Sequence, residues 1–279
     1  MQVEYFSPRV ELKSVISRFW TGKVLCATTV DNSYYRILAS GSTGIVIQLF
    51  QNQSRLFNST DHRKLPLAFI YGQKTDAPCM NHFSTDTTVL GVDFYPMAFK
   101  RIFGVSTTEL TNTIANLEDL LPEPICRGLF QSENLHEAIV VLEQYFLTKL
   151  GLAPDTAKLE YALRQIQKAP FLLNTDLLAG ELGMSRRSFQ RHFKEQIGVD
   201  ASTYSRIVRF QKALHSLKCV SNVSLTQLAY DLGYADQSHF GREFKLFVGQ
   251  SPKQFVKQSS YLDIPTIDVQ IPFRIIGVE

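Results

Sequence analysis

Four cysteines, Cys26, Cys79, Cys126 and Cys219, lie far apart in the 279 residues, and no two form a C-x-x-C pair. That pattern favours reduced thiols in a cytoplasmic protein over a disulfide framework. The six histidines, His62, His82, His136, His192, His215 and His239, never form the His-x-His pair that an open metal site in a barrel would use. Cys79 and His82 make a lone C-x-x-H, too few donors for a metal, and the spacing is read as coincidence. There is no G-x-S-x-G, no phosphate-cradling glycine loop and no cysteine in an activating context. Catalytic residues, metal and cofactor are therefore not expected. Apolar runs stay well short of the roughly 18 residues of a membrane span. The N-terminal residues lack the basic and apolar stretches of a signal peptide.

An excess of either sign of charge is also lacking, with a net of only +3. Its distribution is uneven. Residues 157–260 hold 15 Lys/Arg against 8 Asp/Glu, a balance of +7, and the remainder holds 14 against 18, or −4. A basic third of this kind suits a phosphate backbone, where neutralised phosphates release counterions.

The basic third contains one pattern written twice. The first copy reads Leu178-Ala179-Gly180-Glu181-Leu182-Gly183-Met184-Ser185, then Phe189, Arg191, Phe193-Lys194 and Gly198. The second reads Leu228-Ala229-Tyr230-Asp231-Leu232-Gly233-Tyr234, then Phe240, Arg242, Phe244-Lys245 and Gly249. The offset is 50 as far as the Gly183/Gly233 pair and 51 from Phe189/Phe240 onward, so the second turn carries one extra residue. Each copy predicts a short helix, a turn at a glycine with positive φ, and a second helix: a helix-turn-helix. Ser185 and Asp236 are expected to cap the second helices, and Ser224 with Gln227 has the spacing of a capping box. Phe189/Phe193 and Phe240/Phe244, four apart, face inward. The positions left outward are Arg186, Arg187, Gln190, Arg191 and Lys194 in one helix and Gln237, Ser238, His239, Arg242 and Lys245 in the other. Arg and Gln bond guanine and adenine edges bidentately in the major groove, while Lys mostly meets phosphate. These ten residues are the candidate contacts to double-stranded DNA. Between the units, Tyr204, Ile207, Val208, Gln211, Leu214 and Leu217 recur at helical spacing from Ala201 to Lys218. A single rigid linking helix would hold the two reading helices about one DNA turn, about 34 Å, apart.

On these residues, with Tyr204, Arg209 and Ala213 on the linking helix and Gly249-Gln250-Ser251-Pro252 after the second unit, the stretch from about Ala157 to Ser260 resembles the DNA-binding domain of the AraC/XylS family of bacterial regulators. The resemblance places base reading on Arg187, Gln190 and Arg191 in the first unit, and on Gln237, Ser238, His239 and Arg242 in the second. Two positions depart from the family pattern. Gly241 lies inside the second recognition helix, at a cost of about 1 kcal/mol relative to alanine, and Phe255-Val256 stands where Tyr-Arg is frequent.

Upstream the texture changes to short apolar and aromatic runs: Val24–Val30, Arg36–Leu38, Gly44–Phe50, Leu67–Tyr71 and Val89–Phe94. Phe19, Trp20, Tyr34, Tyr35, Phe69, Tyr71, Phe83 and Phe94 either line a cavity or fill a core, and no ligand residue can be singled out among them. Residues 96–170 read as helical, with helices at Met97–Phe103, ending at Gly104, and at Leu135–Leu150, capped by Asn134. The expected fold class is α+β. It comprises a β-rich, cupin-like sensor barrel (1–105), a helical linker and dimerisation region (106–156), an all-α domain of two helix-turn-helix units joined by a helix (157–260) and a tail (261–279) leaning toward docking. The resemblance further implies a transcription regulator, activator or repressor, with RNA polymerase, a small-molecule effector and a second copy of the chain as partners. A DNA-associated enzyme and a non-specific architectural protein are the alternatives.

Overall fold

Successive side chains of a strand leave opposite faces, and the N-terminal strands bury both. The computed structural model describes residues 2–24, 34–49, 55–150, 157–219 and 224–257. Its strands are β1 (Gln2–Phe6), β2 (Ile16–Val24), β3 (Tyr34–Ile37), β4 (Gly44–Leu49), β5 (Leu56–Asn58), β6 (Ala68–Tyr71), β7 (Cys79–Phe83), β8 (Thr87–Phe94) and β9 (Ile114–Asn116). They form a six-stranded sheet, ordered β1-β2-β8-β4-β6-β9, and a three-stranded sheet, β3-β7-β5, with antiparallel pairing throughout. Phe19, Ile45, Ile47, Ala68, Ile70, Leu90 and Val92 leave one face of the large sheet toward helices. Trp20, Val46, Phe69, Tyr71 and Val89 leave the other and meet Leu56 and Phe83 of the small sheet. The two sheets face one another across this second core.

The strongest apolar runs were legible as strands, whereas β1, β5, β7 and β9 were not. Cys79-Met80-Asn81-His82-Phe83 has no apolar alternation and becomes a strand by lying between β3 and β5. The expected strand at Val24–Val30 lies outside the described residues except for Val24, which ends β2, a strand that was not anticipated. The stretch read as all helical, 96–170, holds β9, paired with the edge of β6. Cys79 and His82, an odd number of residues apart, lie on opposite faces of β7. Cys79 Sγ bonds toward Asn81 while His82 reaches Ser59 Oγ at 3.3 Å, so they share no site.

The helices are α1 (Ala98–Phe103), α2 (Glu123–Gln131), α3 (Leu135–Lys149), α4 (Ala157–Lys168), α5 (Thr175–Glu181), α6 (Arg186–Ile197), α7 (Ala201–Cys219), α8 (Leu225–Asp231), α9 (Gln237–Val248) and α10 (Pro252–Lys257). Gly104 closes α1 at φ 71°. Asn134 caps α3, accepting from Glu137 N at 3.0 Å, and the Glu137 carboxylate accepts in return from Asn134 Nδ2 at 2.7 Å. The α3 stripe is used inside the chain. Ala138, Leu142 and Phe146 are buried against the sheet core, with Leu135, Ile139 and Leu150 packed at its edge. That packing gives no support to the stripe as a dimer surface. Gly151 and Pro154, residue types that stop a helix, and the tail at 261–279 lie outside the described residues.

One buried carboxylate organises the large sheet. Asp93 on β8 is 1% exposed and accepts from Arg18 Nε at 2.7 Å, Trp20 Nε1 at 3.0 Å and Tyr71 OH at 3.0 Å. Gly91 lies directly under the Trp20 ring, where a Cβ would stand 1.8 Å from it. Only glycine there lets the indole lie flat across to Asp93.

The β domain also grips the helical domain. Thr107 Oγ1 donates to Glu195 O at 2.9 Å and Thr111 Oγ1 to Gly198 O at 2.7 Å, occupying carbonyls that the end of α6 leaves open. Lys100 Nζ lies 3.4 Å from the Glu195 carboxylate. Gly198 has φ 95°, and a Cβ there would come 3.0 Å from Thr107 O. On the other side Leu38 and Ala39 join the core of the second helix-turn-helix, and Gln211 of α7 donates to Ala39 O.

Replacing Asp93 by alanine strands three donors and is expected to cost about 3–5 kcal/mol. Denaturant unfolding followed by the fluorescence of Trp20, the chain's single tryptophan, reads it directly, and a loss below 1 kcal/mol contradicts the account. The double change Thr107→Val with Thr111→Val should cost about 1 kcal/mol per bond. It should also raise amide exchange at the end of α6 without disturbing β2 or β8.

Candidate nucleic-acid interface

The two copies of the sequence pattern fold into the same object. α5 and α6 form the first unit, α8 and α9 the second, and α7 joins them. Each turn closes identically: Met184 N donates to Ala179 O and Tyr234 N to Ala229 O, both at 2.9 Å. Gly183 and Gly233 supply the left-handed residue at φ 63° and 70°. The paired rings match as well, with centroids 5.6 Å apart for Phe189/Phe193 and 5.7 Å for Phe240/Phe244, all four buried.

Local signals set the helix starts. Ser185 accepts from Ser188 N at 3.2 Å and Asp236 from His239 N at 2.7 Å. Ser224 accepts from Gln227 N at 3.3 Å, but the Gln227 side chain donates forward to Asp231 instead of back, so the expected box is only half made. A cap that was not anticipated is Asn174, which accepts from Asp176 N and Leu177 N at the start of α5. Its position ahead of Thr-Asp and an apolar pair was the available signal. A complete box occurs at Ser251 and Gln254, opening α10 with Pro252 in its first turn. Gly241 leaves α9 unbroken.

Burying the phenylalanines turns the polar residues outward. Arg186, Arg187, Gln190, Arg191 and Lys194 are exposed on α6, and Gln237, Ser238, Arg242 and Lys245 on α9. His239 is half-buried, its ring edge-on to Tyr234 at 5.3 Å. Two of these residues also have work inside their own unit: Arg186 pairs with Asp176 at 3.2 Å, and Gln237 Oε1 accepts from Thr226 at 2.6 Å. Arg187, Gln190, Arg191 and Lys194 therefore form the less committed face.

The linker stripe is buried as spaced: Tyr204, Ile207, Val208, Gln211, Leu214 and Leu217 all lie inside. Tyr204 packs on Phe193 at 5.9 Å in the first core, and Phe210 on Phe244 at 5.7 Å in the second. Both cores thus share one helix.

Residues 178–258 match the family model described as a helix-turn-helix domain, and residues 4–116 match a domain of unknown function (DUF6597). The C-terminal stretch is 35% identical over 81 residues to the HTH-type transcriptional activator RhaS of Escherichia coli, covering 29% of each chain. It is also 35% identical over 83 residues to the F1 operon positive regulatory protein of Yersinia pestis, covering 30% of this chain and 27% of that one. The C-terminal domain is a helix-turn-helix domain of the AraC type. It spans under a third of the length of these curated relatives. Among solved structures, ToxT from Vibrio cholerae aligns over 86% of this chain and 98% of its own at 13% identity, with a TM-score of 0.46. The C-terminal domain of AraT, a response regulator from Geobacillus stearothermophilus, aligns over 36% and 84% at 25% identity, with a TM-score of 0.34.

The β domain holds a cavity of about 100 Å³. Its walls include Phe69, Tyr71 and Ile114 on the apolar side and Asn58, Lys74 and Asn81 on the polar side. Of the aromatic residues considered from the sequence, Phe69 and Tyr71 line it, Phe19 and Phe94 belong to the helix-side core, and Trp20 and Phe83 to the inter-sheet core. The side chains of Tyr34 and Tyr35 lie outside the described residues. Among the described residues no group of three or more His, Cys, Asp and Glu could hold a metal, and no helix is long and apolar enough to cross a membrane.

The backbone N–H of His239, followed by that of Ser238, holds the Asp236 carboxyl below its ordinary pKa. A depressed carboxyl contributes stability that is complete above the unfolded pKa and lost as pH falls through the folded one. Amide exchange at His239 should therefore accelerate below the ordinary carboxylate range. In Asp236→Ser, which keeps the cap with an uncharged oxygen, that acid dependence should vanish.

Proposed function

We propose that the chain is a sequence-specific DNA-binding transcription regulator that inserts α6 and α9 into successive major grooves. The observation that carries this reading is the repeat itself. The same turn, capped helix and buried aromatic pair occur twice on one rigid helix, and both times an Arg/Gln-bearing face is left exposed. Arg187, Gln190 and Arg191 are the bases' partners in the first unit, with Ser238, Arg242, Gln237 and His239 in the second. Lys194, Lys245 and Arg186 serve phosphates. The relatives named as transcriptional regulators support the same reading, and so does the +7 balance of the basic third.

The β domain modulates this activity, because it holds the end of α6 and the core of the second unit at once. The cavity between the sheets is where a small effector would act. RNA polymerase is the partner expected of a regulator, a second copy of the chain is a further candidate, and the compartment is the cytoplasm.

Selection of random duplexes by the purified chain should return a bipartite asymmetric site. On that site Gln190→Ala or Arg191→Ala should cost about 1–3 kcal/mol and relax preference at one position. Lys194→Ala should weaken cognate and random duplexes alike. Equal losses on cognate and random duplexes for Gln190→Ala would instead favour an architectural binder.

A further inference from the structure

The two reading units are built alike but are anchored differently. On α9, Glu243 is 8% exposed. Its carboxylate accepts from Arg206 Nε at 2.5 Å and from Arg209 Nη2 at 3.4 Å, two guanidinium groups one turn apart on α7. Arg209 also donates to Gly233 O at 3.2 Å and lies 4.3 Å over the Tyr234 ring, while Arg206 lies 5.8 Å from the Phe247 centroid. The linking helix therefore holds the second unit at its turn and at the middle of its recognition helix. Two such points fix both the rotation of α9 about its own axis and its angle to α7.

Among the described residues the first unit shows no matching carboxylate–arginine cluster. With the offset of 51, the position matching Glu243 is His192, whose ring Nδ1 donates to Ser188 O in its own helix at 2.8 Å. The repeat folds there without any cross-link to α7. The ion cluster is therefore an addition peculiar to the second unit, not a requirement of the helix-turn-helix. Its chemistry suits fixed geometry: guanidinium is planar and always charged, and two of them on one carboxylate leave little rotational slack.

From this asymmetry we infer that Glu243, with Arg206 and Arg209, is the positioning device that sets the spacing and phase of the second half-element relative to the first. Glu243 does not touch DNA. It acts through the direction in which α9 presents Ser238 and Arg242. The inference rests on the two-groove reading, and it assigns the length specificity of the site to residues outside the reading faces.

The test uses the full chain and the duplex returned by selection, together with duplexes in which the half-elements stand one base pair closer or farther. Anisotropy titration gives affinity for each. The wild-type chain should prefer the selected spacing by at least about tenfold, the equivalent of 1.4 kcal/mol. Glu243→Gln should bring that ratio down several-fold while leaving binding to a duplex bearing only the first half-element unchanged. Arg206→Gln, at a position more than one-third exposed and so tolerant of change, provides the same readout should the buried variant fold poorly, and Glu243→Asp should restore part of the ratio. If both glutamine variants keep the full spacing preference, or lose affinity for all duplexes in equal proportion, the inference is overturned. If the wild-type chain itself shows no bipartite preference, the functional reading fails first, and the two failures are distinguishable.

Discussion

Everything in the helical domain depends on burying two phenylalanines, four residues apart, behind a turn that only a left-handed residue can close. Phe189/Phe193 and Phe240/Phe244 commit one side of each recognition helix to the core, and the opposite side has no choice but solvent. Gly183 and Gly233 bring the preceding helix close enough to complete that core. Because apolar burial is non-directional, the rings alone would tolerate several helix orientations. The caps at Ser185 and Asp236 and the matched turn hydrogen bonds supply the missing direction.

The second level of organisation is the sharing of one helix by two cores. Tyr204 and Val208 belong to the first cluster, and Ile207, Phe210, Ala213, Leu214 and Leu217 to the second. A helix committed to both sides cannot bend without opening one of them. Phe171, from the turn that follows α4, lies on Gly233 of the other unit, and Ser205 donates to Pro170 O at 2.6 Å. The units are therefore braced across as well as along α7. Buried ionic groups such as Glu243 with its two arginines are weak sources of net stability, since desolvation offsets much of the attraction. Their value lies in geometry.

The β domain adds a third constraint by engaging both units at once. Its contacts to the end of α6 are hydrogen bonds from two threonine hydroxyls to backbone carbonyls, whereas its contact with the second unit is mainly apolar, through Leu38 and Ala39. At the seam near Gly198, Gln73 is fully buried.

How much of this was legible from the residues follows from the range of the forces involved. Caps, the glycine turns, the aromatic pairs and the linker stripe act within about one or two helical turns, so their spacing determined the double unit and its exposed Arg/Gln faces. The apolar runs at Gly44–Phe50, Leu67–Tyr71 and Val89–Phe94 marked β4, β6 and β8 for the same reason. The short strands β5, β7 and β9 were decided by neighbours distant in the chain, since a strand with no apolar alternation of its own exists only where another edge accepts it. The same holds for the half-burial of His239 against Tyr234, the diversion of Arg186 to Asp176 and the capture of Glu243 by α7. Sequence order specifies which side chains a helix presents. Only the packing of one helix on another decides which of those side chains remain free and which are taken up inside the molecule.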